Sequence, residues 1–484
     1  MFAAAVLLRV AFALVTRFDG LYGQDPYAYY TYSLQLREAL LSFRPPPPFF
    51  WPIGYPLQVV VTMLIAGVRP LAGQIVSVLG GALAAACVSL VISDVTGRRG
   101  LGALAGGLLA ACAAQATISS LSVMSDAAGM GWAALSAWAM LRYCGHLRRR
   151  WLALSACALG AAVLTRWAYA LAAVPWALAA GLAWRRASMS VRAMAGAVAL
   201  AVVAGGLVVG SQFVGDLGHI GTAHTGDLQV VGWDPANAVR STIANSDGVF
   251  YYERPIGLYY ALPVAHPAFV FPLFTPLLVL GLWRLRRSSG PPLVLLAGWP
   301  LAVYVFLAGI AWQNPRFSLA FFPPLAALVG VGVGAAWQAA RTVHWRRAIV
   351  AGCALGLAGS LVWAARDVRN FVARKDADLA AARWVEAQLP PGATVITFGL
   401  TDTLRHYTGL RVFELYNETP VTLHGLVCGG ETVFVYVYAE AIEAQWIGLS
   451  PEINWRWLQA NGNLEEMGRS DGYALFAAGG PCAI

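Results

Sequence analysis

The sequence predicts a polytopic α-helical membrane protein, with about eleven spanning helices and a small C-terminal α/β domain. Three observations predict it. First, 58% of the 484 residues are hydrophobic and 12% are charged, with a mean hydropathy of +0.61. A soluble globular chain carries about 25% charged residues, so most of this surface must be hidden from water. Second, the apolar residues gather in runs close to the ~20 residues that cross a bilayer. Third, arginines cluster between those runs, at every second connection.

The runs place helices near 2–16, 71–93, 101–118, 127–142, 151–164, 167–184, 193–214, 264–283, 293–311, 317–337 and 347–364. Gly, Ala and Ser crowd them, as close helix packing in lipid favours. The first run has no small-residue cleavage site and reads as a retained helix rather than a signal peptide. The run 57–68 is short and follows Pro45 to Pro48, Pro52 and Pro56, so it reads as re-entrant or interfacial.

The arginines orient the bundle. Arg98 and Arg99, Arg148 to Arg150, Arg185 with Arg186 and Arg192, Arg284 with Arg286 and Arg287, and Arg341 with Arg346 and Arg347 mark alternate connections. The positive-inside rule makes those connections cytoplasmic. An odd number of spans then puts the N-terminus inside and residues 366–484 outside. Residues 1–365 form the membrane domain, with large outer loops at 17–70 and 215–263. In 366–484, the segment 377–389 reads as an amphipathic helix and 395–398, 412–415, 433–438 and 473–476 read as strands. That alternation suggests an α/β layer.

Composition also limits the chemistry. The net charge of +9 comes from topology-marking arginines, not from a basic stripe on a soluble face, so nucleic acid is not an expected partner. Lys375 is the only lysine, which excludes Schiff-base and P-loop chemistry in the membrane part. Cys87, Cys112, Cys157 and Cys353 lie in apolar runs, where cysteine behaves as a small hydrophobe. Cys428 and Cys482 can pair if their domain is extracytoplasmic.

Ionisable residues at membrane depth or at its edge are costly and mark functional sites. Four fall on the predicted outer face. Asp25, in Gly-Gln-Asp-Pro-Tyr-Ala-Tyr-Tyr, can accept a proton or hold a divalent cation; it can equally form an Asx turn before Pro26. Asp126 opens the fourth span and suits a helix N-terminus, with Ser125 as cap. Arg166 in Leu-Thr-Arg-Trp and Arg316 in Gln-Asn-Pro-Arg-Phe carry the planar fork suited to phosphate, though a lone arginine can also snorkel to headgroups. Their convergence on one face raises all four. His219 and His224 could bind metal but read first as solvated loop histidines. Asn417-Glu418-Thr419 is a formal sequon, too short to weigh.

The order of these motifs resembles the GT-C superfamily of membrane glycosyltransferases, which are fed by polyprenyl-phosphate sugars. The resemblance rests on Asp25-Pro-Tyr-Ala-Tyr-Tyr, Trp51-Pro-Ile-Gly-Tyr-Pro-Leu, the acidic start of the fourth span, Leu-Thr-Arg166, and Arg316-Phe before Pro323-Pro324. The protein O-mannosyltransferase and aminoarabinose lipid A transferase branch is the most similar, over about 1–340. The resemblance implies a GT-C-like fold and Asp25 as the first-loop catalytic acid. It implies Asp126 as the second acid near the site, and Arg166 and Arg316 on the donor phosphate. Tyr29 and Tyr55 of the quoted motifs would contact substrate. Two departures stand out: Pro26 occupies the place of a common second acid, and no cation is near Asp126 in sequence.

The activity implied is inverting transfer of a hexosyl or pentosyl group from a polyprenyl-phosphate donor to a lipid, glycan or protein acceptor. The setting implied is a bacterial inner membrane, on the extracytoplasmic side, with membrane lipids as surroundings. A divalent cation stays open, and no other cofactor is implied. Two other classes compete: a lipid or solute transporter or flippase, and a non-catalytic assembly subunit. Against transport, no matched pair of Gly/Pro-broken helices marks two repeated halves.

Overall fold

The computed structural model describes residues 1–184, 232–287, 290–429, 432–470 and 472–479. The predicted span 193–214, the cluster Arg185, Arg186 and Arg192, and His219, His224 and Asp227 lie outside the described residues, as does Cys482. The chain divides into two compact units. The first holds 1–21, 25–239 and 255–370; the second holds 22–24, 240–254 and 371–484. The second unit thus draws in two short segments that no linear boundary includes.

The first unit is helical. Its N-terminal half runs through α1 (Phe2–Thr16), α2 (Gln24–Leu41), α3 (Gly54–Ala66), α4 (Leu71–Thr96), α5 (Leu101–Cys112), α6 (Ala114–Leu121), α7 (Ser125–His146) and α8 (Arg149–Thr165). A 3-10 turn at Trp167–Ala172 leads into α9 (Ala173–Trp184). Beyond residue 231 come α10 (Ile256–Ala261), α11 (Thr275–Arg286), α12 (Gly290–Gly309) and α13 (Phe322–Ala339). α14 (Val343–Gln388) starts in this unit and ends in the second. Among the described residues, five helical segments are long and apolar enough to cross a membrane, or six if the bent pair α5–α6 counts as one.

Several elements depart from the sequence expectation for identifiable reasons. The first outer loop is not irregular: it holds α2 and α3. At 13 residues α3 is roughly 20 Å long, short of the ~30 Å hydrocarbon core. The expected helix 101–118 bends by 54° at Ala113. The break exposes the Gln115 N–H, which donates to the Ala268 carbonyl at 3.1 Å. Pro267 and Pro272 interrupt the expected span 264–283, leaving a 3-10 turn at Pro272–Phe274 before α11, whose first turn accommodates Pro276. The expected last span and the amphipathic segment 377–389 are one 46-residue helix.

Small residues set the closest crossings. α4 packs on α5 and α7, α7 on α8, and α13 on both α5 and α11. A Cβ at Gly332 would strike the Leu277 carbonyl, and one at Gly281 the Leu328 carbonyl, so α11 and α13 meet backbone to backbone.

In the second unit, five strands form one sheet: β3 (Thr394–Thr397), β4 (Arg411–Glu414), β5 (Val433–Val437), β6 (Glu465–Ser470) and β7 (Tyr473–Ala478), in the order β4-β3-β5-β7-β6. The first three are mutually parallel, whereas β7 runs antiparallel to both β5 and β6. Period-two alternation divides two cores. Val395, Phe434, Tyr436 and Leu475 face the end of α14. Ile396, Val433, Val435 and Val437 pack with residues of α16 (Pro420–Val427), α17 (Ala439–Gln445) and α18 (Ser450–Asn461). α15 (Thr401–Tyr407) connects β3 to β4. β6 reads Glu-Glu-Met-Gly-Arg-Ser and escaped the hydrophobic pattern because it is an edge strand with mostly exposed side chains. A hairpin of β1 (Thr242–Asn245) and β2 (Gly248–Tyr251) belongs to this unit and receives a 2.8 Å hydrogen bond from Gln445 to the Asp247 carbonyl.

Candidate active site

Asp25, Asp126, Arg166 and Arg316 come together in the first unit. Arg316 Nη2 pairs with Asp25 Oδ2, and Arg166 Nη1 pairs with Asp126 Oδ1. Both guanidiniums lie over one ring, Phe317, with Cζ 5.3 Å (Arg166) and 5.5 Å (Arg316) from its centroid. The four residues, 291 positions apart at the extremes, therefore form a single charge-balanced cluster around one aromatic side chain.

Each is placed by local structure. Asp25 sits in the first turn of α2, and Asp126 in the first turn of α7, where the helix dipole favours a carboxylate. The turn into α7 is tied from three sides. Val123 N–H donates to the Gly20 carbonyl at 2.9 Å, and Gln74 Nε2 donates to the carbonyls of Phe18 and Leu121. Gly20 has φ +94°, and a Cβ there would meet Gln74, so glycine is required on both counts. Ser77 donates to the Met124 carbonyl at 3.1 Å. Arg166 ends α8 in an extended conformation. Gln58 of α3 braces that end, donating to Thr165 Oγ1 at 3.2 Å and accepting from Trp132 Nε1 at 3.0 Å. Arg316 opens a 3-10 segment, Pro315–Phe321, whose N-cap Asn314 accepts from the Arg316 N–H at 3.2 Å.

Exposure separates the two acids. The Asp126 side chain is 1% exposed and that of Asp25 is 21% exposed. Arg166 and Arg316 are similar at 19% and 21%. Of the two acids, Asp25 is the part-exposed one.

Tyr29 and Tyr55 are buried and hydrogen-bonded within the protein. Tyr55 is fully buried; its hydroxyl donates to the Gly73 carbonyl at 3.0 Å and lies 2.9 Å from Ser77 Oγ. Tyr29 is 3% exposed and lies 2.9 Å from Ser125 Oγ. It stacks on Trp51 at 5.1 Å and meets Tyr55 and Phe49 edge-on. Burial lifts the Tyr29 hydroxyl above the ordinary tyrosine value, keeping it a neutral hydrogen-bonding group. Both are bonded towards the start of α7, Tyr29 to Ser125 and Tyr55 through Ser77 to Met124. Ser125 is not the cap expected of it: Met124 is the N-cap residue, and the Ser125 hydroxyl serves Tyr29 instead.

Sequence reading missed Phe317 and Met124. Arg316 Nη1 lies 3.2 Å from Met124 Sδ. Phe317 adjoins Arg316 in the quoted motif, but an aromatic beside an arginine carries no signal of a second arginine over the same ring. Among the described residues no group of three His, Cys, Asp or Glu side chains is placed to hold a metal. Asp25 and Asp126 each face a guanidinium. In the second unit, burial pushes the Asp378 carboxyl up to about 6.

No protein-family model and no curated protein sequence matches the chain. Solved structures do match, and they define the class of fold. ArnT from Cupriavidus metallidurans in the apo state superposes with a TM-score of 0.64 at 16% identity, over 98% of both chains. The same protein bound to undecaprenyl phosphate gives 0.63 at 16% identity, over 98% of this chain and 97% of that one. The Archaeoglobus fulgidus oligosaccharyltransferase, in complex with Zn and sulfate, gives 0.56 at 12% identity, over 99% of this chain and 73% of that one. The likeness is one of fold.

Proposed function

We propose that this protein is a membrane glycosyltransferase that moves a sugar from a polyprenyl-phosphate donor to a lipid, glycan or protein hydroxyl at the extracytoplasmic face. The observation that carries the reading is the cluster of two carboxylates and two guanidiniums, drawn from four separate elements. Its position in a GT-C fold supports the donor class, since one matching structure is bound to undecaprenyl phosphate.

In this reading the reaction is a single displacement with inversion. The acceptor oxygen bonds to the anomeric carbon as the bond from that carbon to the phosphate oxygen breaks. The electron pair leaves on the phosphate, and the acceptor proton passes to Asp25. Asp25 suits the role because it is the accessible acid of the pair. Arg316 and Arg166 stabilise the charge growing on the leaving phosphate, an effect strongest where water is scarce. Asp126, enclosed against Arg166, positions that arginine and does not touch substrate. Tyr29 and Tyr55 support the start of α7. No step is routed through a metal.

The remaining topology belongs to the same reading. Eleven spans, an inside N-terminus and an extracytoplasmic domain from about residue 366 would bring the acids to the side where lipid-linked sugars are consumed. The test is transfer from a polyprenyl-phosphate sugar by the purified protein. Asp25→Asn should lose at least a hundredfold in rate, the lower end of what a general base contributes, ~10²–10⁴. Transfer at the wild-type rate by a well-folded Asp25→Asn protein would remove Asp25 from the chemistry.

A further inference from the structure

We propose that the Asp25–Arg316 ion pair is a latch that the donor phosphate opens, so that the base is released only after the donor has bound. The inference rests on the glycosyltransferase reading and adds an order of events to it.

The two ion pairs of the site are unequal. Asp126 is 1% exposed, so breaking its pair with Arg166 would strand a buried charge. Asp25 and Arg316 are each 21% exposed, and water can solvate either partner when they part. The second pair is therefore the one that exchanges. Arg316 is also short of acceptors. Nη2 holds Asp25, Nη1 meets only the thioether of Met124 at 3.2 Å, and Nε has no acceptor. Thioether sulfur is a weak acceptor. A guanidinium with five N–H donors thus engages a single strong acceptor oxygen among the described residues. A phosphate offers several oxygens matched to its fork.

In the latched state Asp25 Oδ2 is covered by a guanidinium. A lipid phosphate that takes Arg316 uncovers it. The freed carboxylate then accepts the proton of the incoming hydroxyl while the phosphate, now on the arginines, leaves with the electron pair. Donor therefore binds before acceptor. The latch also keeps the site charge-balanced before the donor arrives, since two carboxylates offset two guanidiniums.

The test titrates undecaprenyl phosphate into the full-length protein in phosphatidylcholine nanodiscs, with melting temperatures measured in parallel. The wild type is compared with Asp25→Asn, Asp25→Ser, Asp126→Asn and Arg316→Gln. The latch predicts about fivefold tighter binding for both Asp25 variants, because a competing part-exposed ion pair is gone. Arg316→Gln should bind at least tenfold more weakly. Asp126→Asn should bind no tighter than wild type, because Arg166 loses its anchor. Equal affinities for wild type and a folded Asp25 variant would overturn the latch and leave the donor class standing. Equal tightening by Asp126→Asn would overturn it too, by reducing the effect to a general loss of negative charge. A wild-type protein that does not bind undecaprenyl phosphate would overturn both the latch and the donor reading.

Discussion

A buried charge in this molecule is decided by its partner. Asp126 and Arg166 sit forty residues apart in sequence, each without an opposite charge nearby in the chain, yet each is the other's counter-ion. Read in sequence, Asp126 lacked a neighbouring cation; the fold supplies one from the end of α8. Phe317 acts at the same scale. Both guanidiniums lie over its ring. Each such contact is worth ~0.5–2 kcal/mol, so losing the equivalent of one in Phe317→Leu should weaken undecaprenyl phosphate binding about two- to thirtyfold. Phe317→Tyr keeps the ring face and should bind like the wild type. A Leu variant with unchanged affinity would show that the ring is only packing. Of the candidate residues, the four charged ones were legible because charge at membrane depth is rare. Phe317 was not, because 20 phenylalanines offer no way to choose one.

At the scale of elements, hydrophobic runs foretold where helices lie and misjudged how they end. Spans are announced by composition, but breaks follow from tertiary bonding. The bend at Ala113 has no proline or glycine at the break; the freed Gln115 N–H is satisfied from Ala268, far along the chain. The α2 helix was hidden for the opposite reason. It is polar enough to resemble a loop, and its buried face is made of Tyr27, Tyr30, Ser33 and Leu36 rather than of an aliphatic stripe. The crossing of α11 and α13 depends on glycine. Gly332→Leu should separate the two helices and cost the folded protein several kcal/mol, as overpacking typically costs ~1–3 and backbone contacts leave little room to relax. Fluorescence-detected size exclusion should show a lowered melting temperature and a smaller monodisperse peak. Gly334→Ala, one helical face away with only ordinary side-chain contact to Thr96, is the matched control and should behave like wild type.

For the whole molecule, sidedness is open to direct measurement. If the proposed topology holds, alkaline phosphatase fused after the C-terminal domain will be active in cells. Fusions within Arg148–Arg150 will be inactive, and green fluorescent protein fusions will give the reverse pattern. Active phosphatase at Arg148–Arg150 would invert the bundle and move the acid–arginine cluster to the cytoplasmic face, away from extracytoplasmic acceptors.

By itself the sequence determined that the chain is a helical membrane protein with an α/β region near its C-terminus, and it singled out four charged residues. It could do so because lipid forbids unpaired polar groups, so every exception to apolarity stands out along the chain. It could not determine which charges pair, which acid is reachable, or that one phenylalanine joins the two arginines. Those depend on how the ends of α2, α7 and α8 and the turn at Pro315 pack together in three dimensions. Only the tertiary structure separated Asp25, part-exposed, from Asp126, enclosed against its arginine: burial is a property of the packed bundle, and no local pattern of residues encodes it.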